Sequence, residues 1–152
     1  MTAIFPDVPF LMRLRGALYT LFVPKNKCGK NFQVSSNVVI KGVEYLFVGN
    51  DVYIGPNCVI LLRNSLVLQD EVMIAPNCVI ADGNHGLSGG SYRYAKGNNG
   101  PIFIGKGSWI AANCVILHTT KIGESTVIGA GSVISGDFKS NSIYVSHKPK
   151  KL

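Results

Sequence analysis

Aliphatic residues recur every six positions along most of the chain: Val48, Ile54 and Ile60, then Leu68, Ile74 and Ile80, then an unbroken run Ile104, Ile110, Ile116, Ile122, Ile128, Ile134. Small or turn-forming residues commonly follow, as in Ile54-Gly55, Ile104-Gly105, Ile122-Gly123 and Ile128-Gly129. A longer repeat lies over this beat. Ser36-Asn37-Val38-Val39-Ile40, Pro56-Asn57-Cys58-Val59-Ile60 and Pro76-Asn77-Cys78-Val79-Ile80 stand twenty residues apart, and Ala112-Asn113-Cys114-Val115-Ile116 follows after a wider gap. An amphipathic helix repeats near 3.6 residues and a simple strand near 2, so neither yields six. Six residues suit one flat side of a coil, with one aliphatic side chain pointing inward and a tight turn to the next side. Three sides make eighteen residues, as from Ile116 to Ile134, and two more at one corner make the twenty of the N-terminal coils. Stacked coils pair each strand with the one above and bury one another's cores. The pattern predicts a parallel β-helix.

Two departures from the beat flank or interrupt it. Phe10, Leu14, Leu18, Leu21 and Phe22 fall at helical spacing and predict an amphipathic helix near the N-terminus. Its apolar stripe is expected to pack on its own domain or a neighbouring subunit; weak peripheral contact with a membrane is the sharper reading. Arg13 and Arg15 interrupt the run, which falls short of the ~20 apolar residues of a membrane span. No small-residue cleavage site follows it, so a secretory signal is not expected. The chain accordingly divides into a helical segment 1–24, a β-helix 25–140 with an inserted loop 81–101, and a basic tail 141–152.

Within the repeat, Cys58, Cys78 and Cys114 share one position, two before the inward Ile, where a small buried residue fits. Without a CxxC pair they point neither to a zinc site nor to an oxidising compartment. The inserted loop is different. It runs Ala81-Asp82-Gly83-Asn84-His85-Gly86-Leu87-Ser88-Gly89-Gly90-Ser91-Tyr92-Arg93-Tyr94 and on to Pro101, and it gathers a His, an Asp, two Tyr, an Arg and several Gly. Loops held on rigid scaffolds are common places for function.

The hexapeptide pattern from Cys28 to Lys150 resembles the hexapeptide-repeat acyltransferases, whose prism-shaped β-helix is left-handed; the resemblance, not the period, implies the hand. Ala75-Pro76-Asn77 through Gly83-Asn84-His85-Gly86 is similar to the segment of maltose and galactoside O-acetyltransferases that ends in their catalytic His. The Asp-x-Asn-His-Gly form of Asp82 to Gly86 resembles the branch that acetylates sugars of bacterial surface polysaccharides. That resemblance implies an acetyl-CoA-dependent O-acetyltransferase with His85 as general base. A neutral imidazole would take the acceptor hydroxyl's proton as its oxygen attacks the acetyl thioester, a contribution of roughly 10²- to 10⁴-fold in rate. Asn84 and Asp82 are expected to hold the acceptor or orient the ring, or else simply to form the turn.

On the donor side, Gly107-Ser108-Trp109-Ile110-Ala111-Ala112 resembles the family segment lining the coenzyme A channel, and Gly129-Ala130-Gly131-Ser132-Val133-Ile134-Ser135-Gly136 the stretch that meets the pantetheine arm. Trp109, Ala112, Ala130 and Ser135 are the implied donor contacts, although Gly and Ala also serve hexapeptide turns and Trp109 also suits a subunit contact. In the tail, Lys150 matches the family's basic position for coenzyme phosphates, while Ser146 stands for its usual Gly and Lys148 for its Pro. Gly55 occupies the position where the compared sugar enzymes carry a polar acceptor contact. The acceptor pocket is therefore expected to differ, with Arg63, Asn64, Tyr92 and Arg93 as candidate contacts.

Composition narrows the partners. Lys and Arg exceed Asp and Glu, giving a net charge of +7, yet no stretch interleaves basic with stacking aromatic residues. No nucleic acid is therefore expected, and a phosphorylated small molecule accounts for the excess equally well. Charged residues are only 15% of the chain, against roughly 25% in an average soluble domain, too few to keep every outer face wet. Association is expected, and the resemblance implies a homotrimer with each site shared between subunits. Cytoplasm is the expected compartment, because acetyl-CoA is there, and no metal requirement is expected. A γ-type carbonic anhydrase shares the β-helix but needs three His around a metal. His85 and His118 lie 33 residues apart, and 119–123 contains no third. An N-acetyltransferase of an amino-sugar and a non-catalytic scaffold remain as the other readings.

Overall fold

A computed structural model describes residues 6–21, 23 and 27–146. The chain winds through successive three-sided coils. The first contains β1 (Gln33–Val34), β2 (Val39–Lys41) and β3 (Leu46–Val48), with a 3₁₀ turn at Val43–Tyr45 between the last two. The second contains β4 (Tyr53–Ile54), β5 (Val59–Leu61) and β6 (Leu66–Leu68), and the third β7 (Met73–Ile74), β8 (Val79–Ala81) and β9 (Ile102–Ile104). Then come β10 (Trp109–Ile110), β11 (Val115–Ile116) and β12 (Lys121–Ile122), followed by β13 (Val127–Ile128), β14 (Val133–Ile134) and β15 (Asp137–Phe138). β16 (Ile143–Tyr144) opens a further turn.

Every strand pairs in parallel with its counterpart one coil away, giving three sheets: β1-β4-β7-β10-β13-β16, β2-β5-β8-β11-β14 and β3-β6-β9-β12-β15. This is the expected all-β solenoid with one helix, about six turns long, consistent with a left-handed β-helix. The hexad positions fall directly over one another. Val34, Ile54, Ile74, Ile110 and Ile128 form one ladder. Ile60, Ile80 and Ile116 run through the second sheet, and Leu68, Ile104 and Ile122 through the third. All eleven are 0–1% exposed, and each such side chain contributes roughly 1.5–3 kcal/mol on burial. These ladders share the interior with a second buried set that includes Leu46, Leu66 and Ile102 and Val52 and Val72.

The repeated Asn has its own cause. Asn37, Asn57, Asn77 and Asn113 turn the corner from the first to the second sheet with φ of 57–61°. That left-handed conformation is costly for most side chains but tolerated by Asn, whose short amide bonds locally. Immediately after it, Cys58, Cys78 and Cys114 are fully buried, with each Sγ 3.2 Å from a carbonyl of the next coil (Ala75, Ala111 and Gly129). The bond shared with Cys78, then burial, push the Cys114 thiol well up. These thiols are packing residues.

Helix α1 (Pro9–Thr20) closes the N-terminal end, but with a different face from the one the apolar stripe suggests. Met12, Arg15 and Gly16 are buried, whereas Phe10, Leu14, Leu18 and Leu21 are exposed, Phe10 by 72%. Two features turn the helix this way. A Cβ on Gly16 would collide with the Phe32 carbonyl, so only glycine permits the close approach at that point. Arg15 pairs with Asp7 at 2.8 Å, and Asp7 in turn accepts the Ser36 N–H and hydroxyl, tying the segment before the helix to the first coil. Tyr19 donates its hydroxyl to the Val38 carbonyl at 2.6 Å. Phe22, the last residue of the stripe, lies outside the described residues. Among the described residues, no helix is long and apolar enough to cross a membrane.

Candidate active site

The corner between the second and third sheets is where the solenoid is interrupted. β8 ends at Ala81 and β9 begins at Ile102, and the intervening chain leaves the coil and returns to it. Its two ends are zipped together. Gly83 and Asn99 form an antiparallel bridge, the Asn84 N–H donates to the Asn98 carbonyl at 2.8 Å, and Asn84 Oδ1 accepts the Asn98 N–H at 3.1 Å. A Cβ on Gly97 would collide with the Asn84 carbonyl and come within 3.2 Å of the His85 Cα, while one on Gly86 would meet the Lys96 carbonyl. Glycines at 86 and 97 thus let the two limbs of the loop touch back to back. The tip is a tight turn: Ser88 and Ser91 exchange both backbone hydrogen bonds around Gly89 and Gly90, whose φ of 56° and 75° suit residues without a side chain.

Asp82 anchors this base from below. It is fully buried, and its carboxylate accepts the Arg63 N–H at 2.8 and 2.9 Å and the Asn64 N–H at 2.6 Å. Its own carbonyl accepts the Gly100 N–H at 2.8 Å. A buried carboxylate must be fully bonded, and these bonds commit both oxygens to the backbone. The side chain expected to touch the acceptor or orient the ring instead holds the loop on the coil beneath it.

His85 is exposed and makes no hydrogen bond among the described residues. It lines a small pocket of about 110 Å³ with Leu61, Arg63, Asp82 and Asn84. Arg63 is exposed at the pocket's edge, and Asn64 reaches up to Asn99 Oδ1 at 3.1 Å. Tyr92 and Arg93 lie on the outer part of the loop, outside this lining, with the Arg93 guanidinium 5.5 Å from the Tyr94 ring. Gly55 lies at the other end of the second sheet, where a Cβ would come within 3.0 Å of the Ala75–Pro76 backbone. Its glycine follows from coil stacking.

The donor-side residues divide between two corners. Ser135 is exposed just after β14, on the same corner as His85 and one coil above Leu117, whose N–H donates to the Ile134 carbonyl at 3.0 Å. Ala112 and Ala130 stack at the first–second corner, where the Gly131 N–H donates to the Ala112 carbonyl at 2.9 Å. Trp109 is 42% exposed on the first sheet, between Met73 and Val127. Within one protomer the second sheet separates these three from His85. Lys150 lies outside the described residues.

One side chain at this corner is absent from the sequence-derived set of acetyl-transfer residues. His118 sits on the coil above the loop, and its Nε2 is 3.0 Å from Asn84 Nδ2. Ile80 pairs with Ile116, so residues 82–84 and 118 share a corner despite being some thirty-five positions apart. That register was the available signal. On its third-sheet side a groove of about 470 Å³ opens between Pro101, Phe103, Thr119 and Asp137. No group of three or more His, Cys, Asp or Glu among the described residues is placed to hold a metal ion.

Residues 101–136 match the family model described as bacterial transferase hexapeptide (six repeats). A provisionally named acetyltransferase of Staphylococcus aureus (strain COL) is 38% identical over 103 residues, covering 68% of this chain and 52% of that protein. The chain therefore spans about half the length of the curated relatives it matches. Among solved structures, a maltose O-acetyltransferase from Clostridium difficile 630 superimposes with a TM-score of 0.72 at 24% identity, covering 87% of this chain and 70% of that one. A hexapeptide-repeat acetyltransferase from Vibrio cholerae O1 biovar eltor, solved with acetyl coenzyme A, gives a TM-score of 0.65 at 23% identity, covering 88% and 72%. At these identities the two structures speak for the fold alone.

Proposed function

Because the chain carries the hexapeptide-repeat transferase domain, we propose that it moves an acetyl group from acetyl coenzyme A to a sugar hydroxyl, with His85 as the general base. One observation carries this reading: an exposed imidazole, unbonded among the described residues, stands beside a pocket on a loop whose base is fixed in the backbone. A base that must meet a mobile substrate needs a free nitrogen and a fixed position. The acceptor oxygen gives its proton to His85 as it attacks the thioester carbonyl, and the coenzyme thiolate recovers that proton on leaving. Arg63, exposed at the pocket edge, supplies a polar contact for the acceptor, while the Asn84 amide is engaged by Asn98 and His118. The S. aureus relative supports the chemistry by its name, since it is called an acetyltransferase.

The site is completed by a second copy. Trp109, Ala112 and Ala130 lie across the second sheet from His85, so a homotrimer brings one protomer's donor residues to its neighbour's base. Met73, Trp109, Val133 and Ile143, exposed by 42–75%, supply apolar surface for that packing. A verified monomer is expected to be inactive. Ser135 and Lys150 belong to the donor path, Lys150 as a charge for the coenzyme phosphates. The reading extends to a cytoplasmic role in bacterial surface polysaccharide or saccharide metabolism, and the exposure of Phe10, Leu14 and Leu18 supports weak contact with a membrane surface. The test is thiol release from acetyl-CoA with a panel of sugar acceptors. Acceptor-dependent release by the wild type is expected, and release indifferent to every sugar would overturn the acceptor class.

A further inference from the structure

The base of the loop contains a second histidine whose bonding is the opposite of His85's. Asn84 Oδ1 is already taken, because it accepts the Asn98 N–H at 3.1 Å. That bond fixes which way the amide points, and the Asn84 NH₂ must therefore face His118 Nε2, 3.0 Å away. An NH₂ group only donates, so Nε2 must be the unprotonated, accepting nitrogen, and the ring proton sits on Nδ1, 3.4 Å from Thr119 Oγ1. Both nitrogens of His118 are engaged, while neither nitrogen of His85 has a partner among the described residues.

Asn84 is also the residue bonded directly to His85, and its peptide is the one pressed against Gly97. The contact from His118 is the side-chain link between that peptide and the coil above, as Asp82 is the link to the coil below. We propose that His118 is a positioning residue: it accepts a hydrogen bond from Asn84 and so fixes the height and orientation of His85 between two coils. This rests on the acetyl-transfer reading of His85, and it assigns the two histidines different tasks, one exposed for proton transfer and one bonded for placement. The requirement at 118 is an acceptor at the distance of Nε2. Gln places its amide oxygen at about that reach; Asn, one carbon shorter, does not.

The test compares His118→Gln, His118→Asn, His118→Leu, Asn84→Ala and the double variant Asn84→Ala/His118→Leu. Two readouts are taken: amide hydrogen exchange over 82–100, and kcat and KM for thiol release from acetyl-CoA with nitrophenyl hexopyranosides as probe acceptors. Loss of one such hydrogen bond is expected to speed exchange at the loop base roughly fivefold in His118→Leu and His118→Asn. Misplacing the base is expected to lower kcat by about 10- to 100-fold with the acetyl-CoA KM unchanged. His118→Gln should restore both readouts to near wild type, and adding His118→Leu to Asn84→Ala should cost nothing further. Gln as impaired as Leu, or Leu as active as wild type, would overturn the proposal. Failure of the acetyl-transfer reading itself looks different: the wild type releases no thiol with any probe, while exchange still separates Leu from Gln.

Discussion

The two corners that bound the second sheet are made from the same hexapeptide code and do opposite work. At the first–second corner each coil repeats one solution: a small residue or Pro, an Asn or Gly in the left-handed conformation, then a buried Val, Cys or Ser, with backbone bonds at every level. At the second–third corner no two coils agree. One carries Arg63 and Asn64, the next leaves for the loop with His85, the next holds His118 and Thr119, and the last ends in Ser135 and Gly136. A solenoid can vary one corner freely because the other two keep the coils in register. The uniform corner supplies rigidity, and the irregular one spends it on placing side chains.

Substitutions at the two corners should therefore fail in different ways. The largest effect belongs to His85→Ala, which is expected to lower acetyl transfer by roughly 10²- to 10⁴-fold. Its melting temperature should not change, because the ring packs against nothing in the core. Asp82→Ala comes next. It leaves the Arg63 and Asn64 N–H groups without their acceptor, and a cost of about 3 kcal/mol is expected. Thermal unfolding should record this as a fall of roughly 6–12 °C. Gly97→Ala puts a methyl group into the Asn84 carbonyl and shifts His85, lowering turnover about 10²-fold with little change in Tm. A steady-state assay beside a melting curve separates it from Asp82→Ala. The smallest is Asn77→Ala at the uniform corner, expected to cost about 1 kcal/mol through its left-handed backbone, whereas Asn77→Gly is nearly neutral. Neither change at 77 should alter kcat. An activity loss there larger than the stability loss would break the division between the corners.

Much of this was legible in the chain. The six-residue beat specified which aliphatics stack, and the failure of the beat between Ile80 and Ile104 marked the loop. What could not be read were facts that depend on how coils meet. The helix stripe Phe10, Leu14, Leu18 and Leu21 left its own coils, a neighbouring subunit or a membrane as its partner, and a glycine at 16 and an ion pair at Arg15 turn the opposite side towards the helix's own coils. Hydrophobic spacing carries no information about either. Asp82 drew notice as a site carboxylate because the Asp-x-Asn-His-Gly form places it three residues before His85. Its bonding partners at 63 and 64 become visible only once coils are stacked. His118 meets Asn84 only because the loop returns to the same side of the solenoid, so that β11 falls directly on β8.

The most direct measurement is calorimetric titration of wild-type protein and His85→Ala with acetyl-CoA and with CoA, followed by thiol release on the same samples. Binding by both proteins, with acceptor-dependent release by the wild type alone, is the expected result. It would assign His85 to the chemistry and the donor path to other residues. Absence of binding by either protein, or undiminished release by His85→Ala, would contradict the assignment of this corner as an acetyl-transfer site.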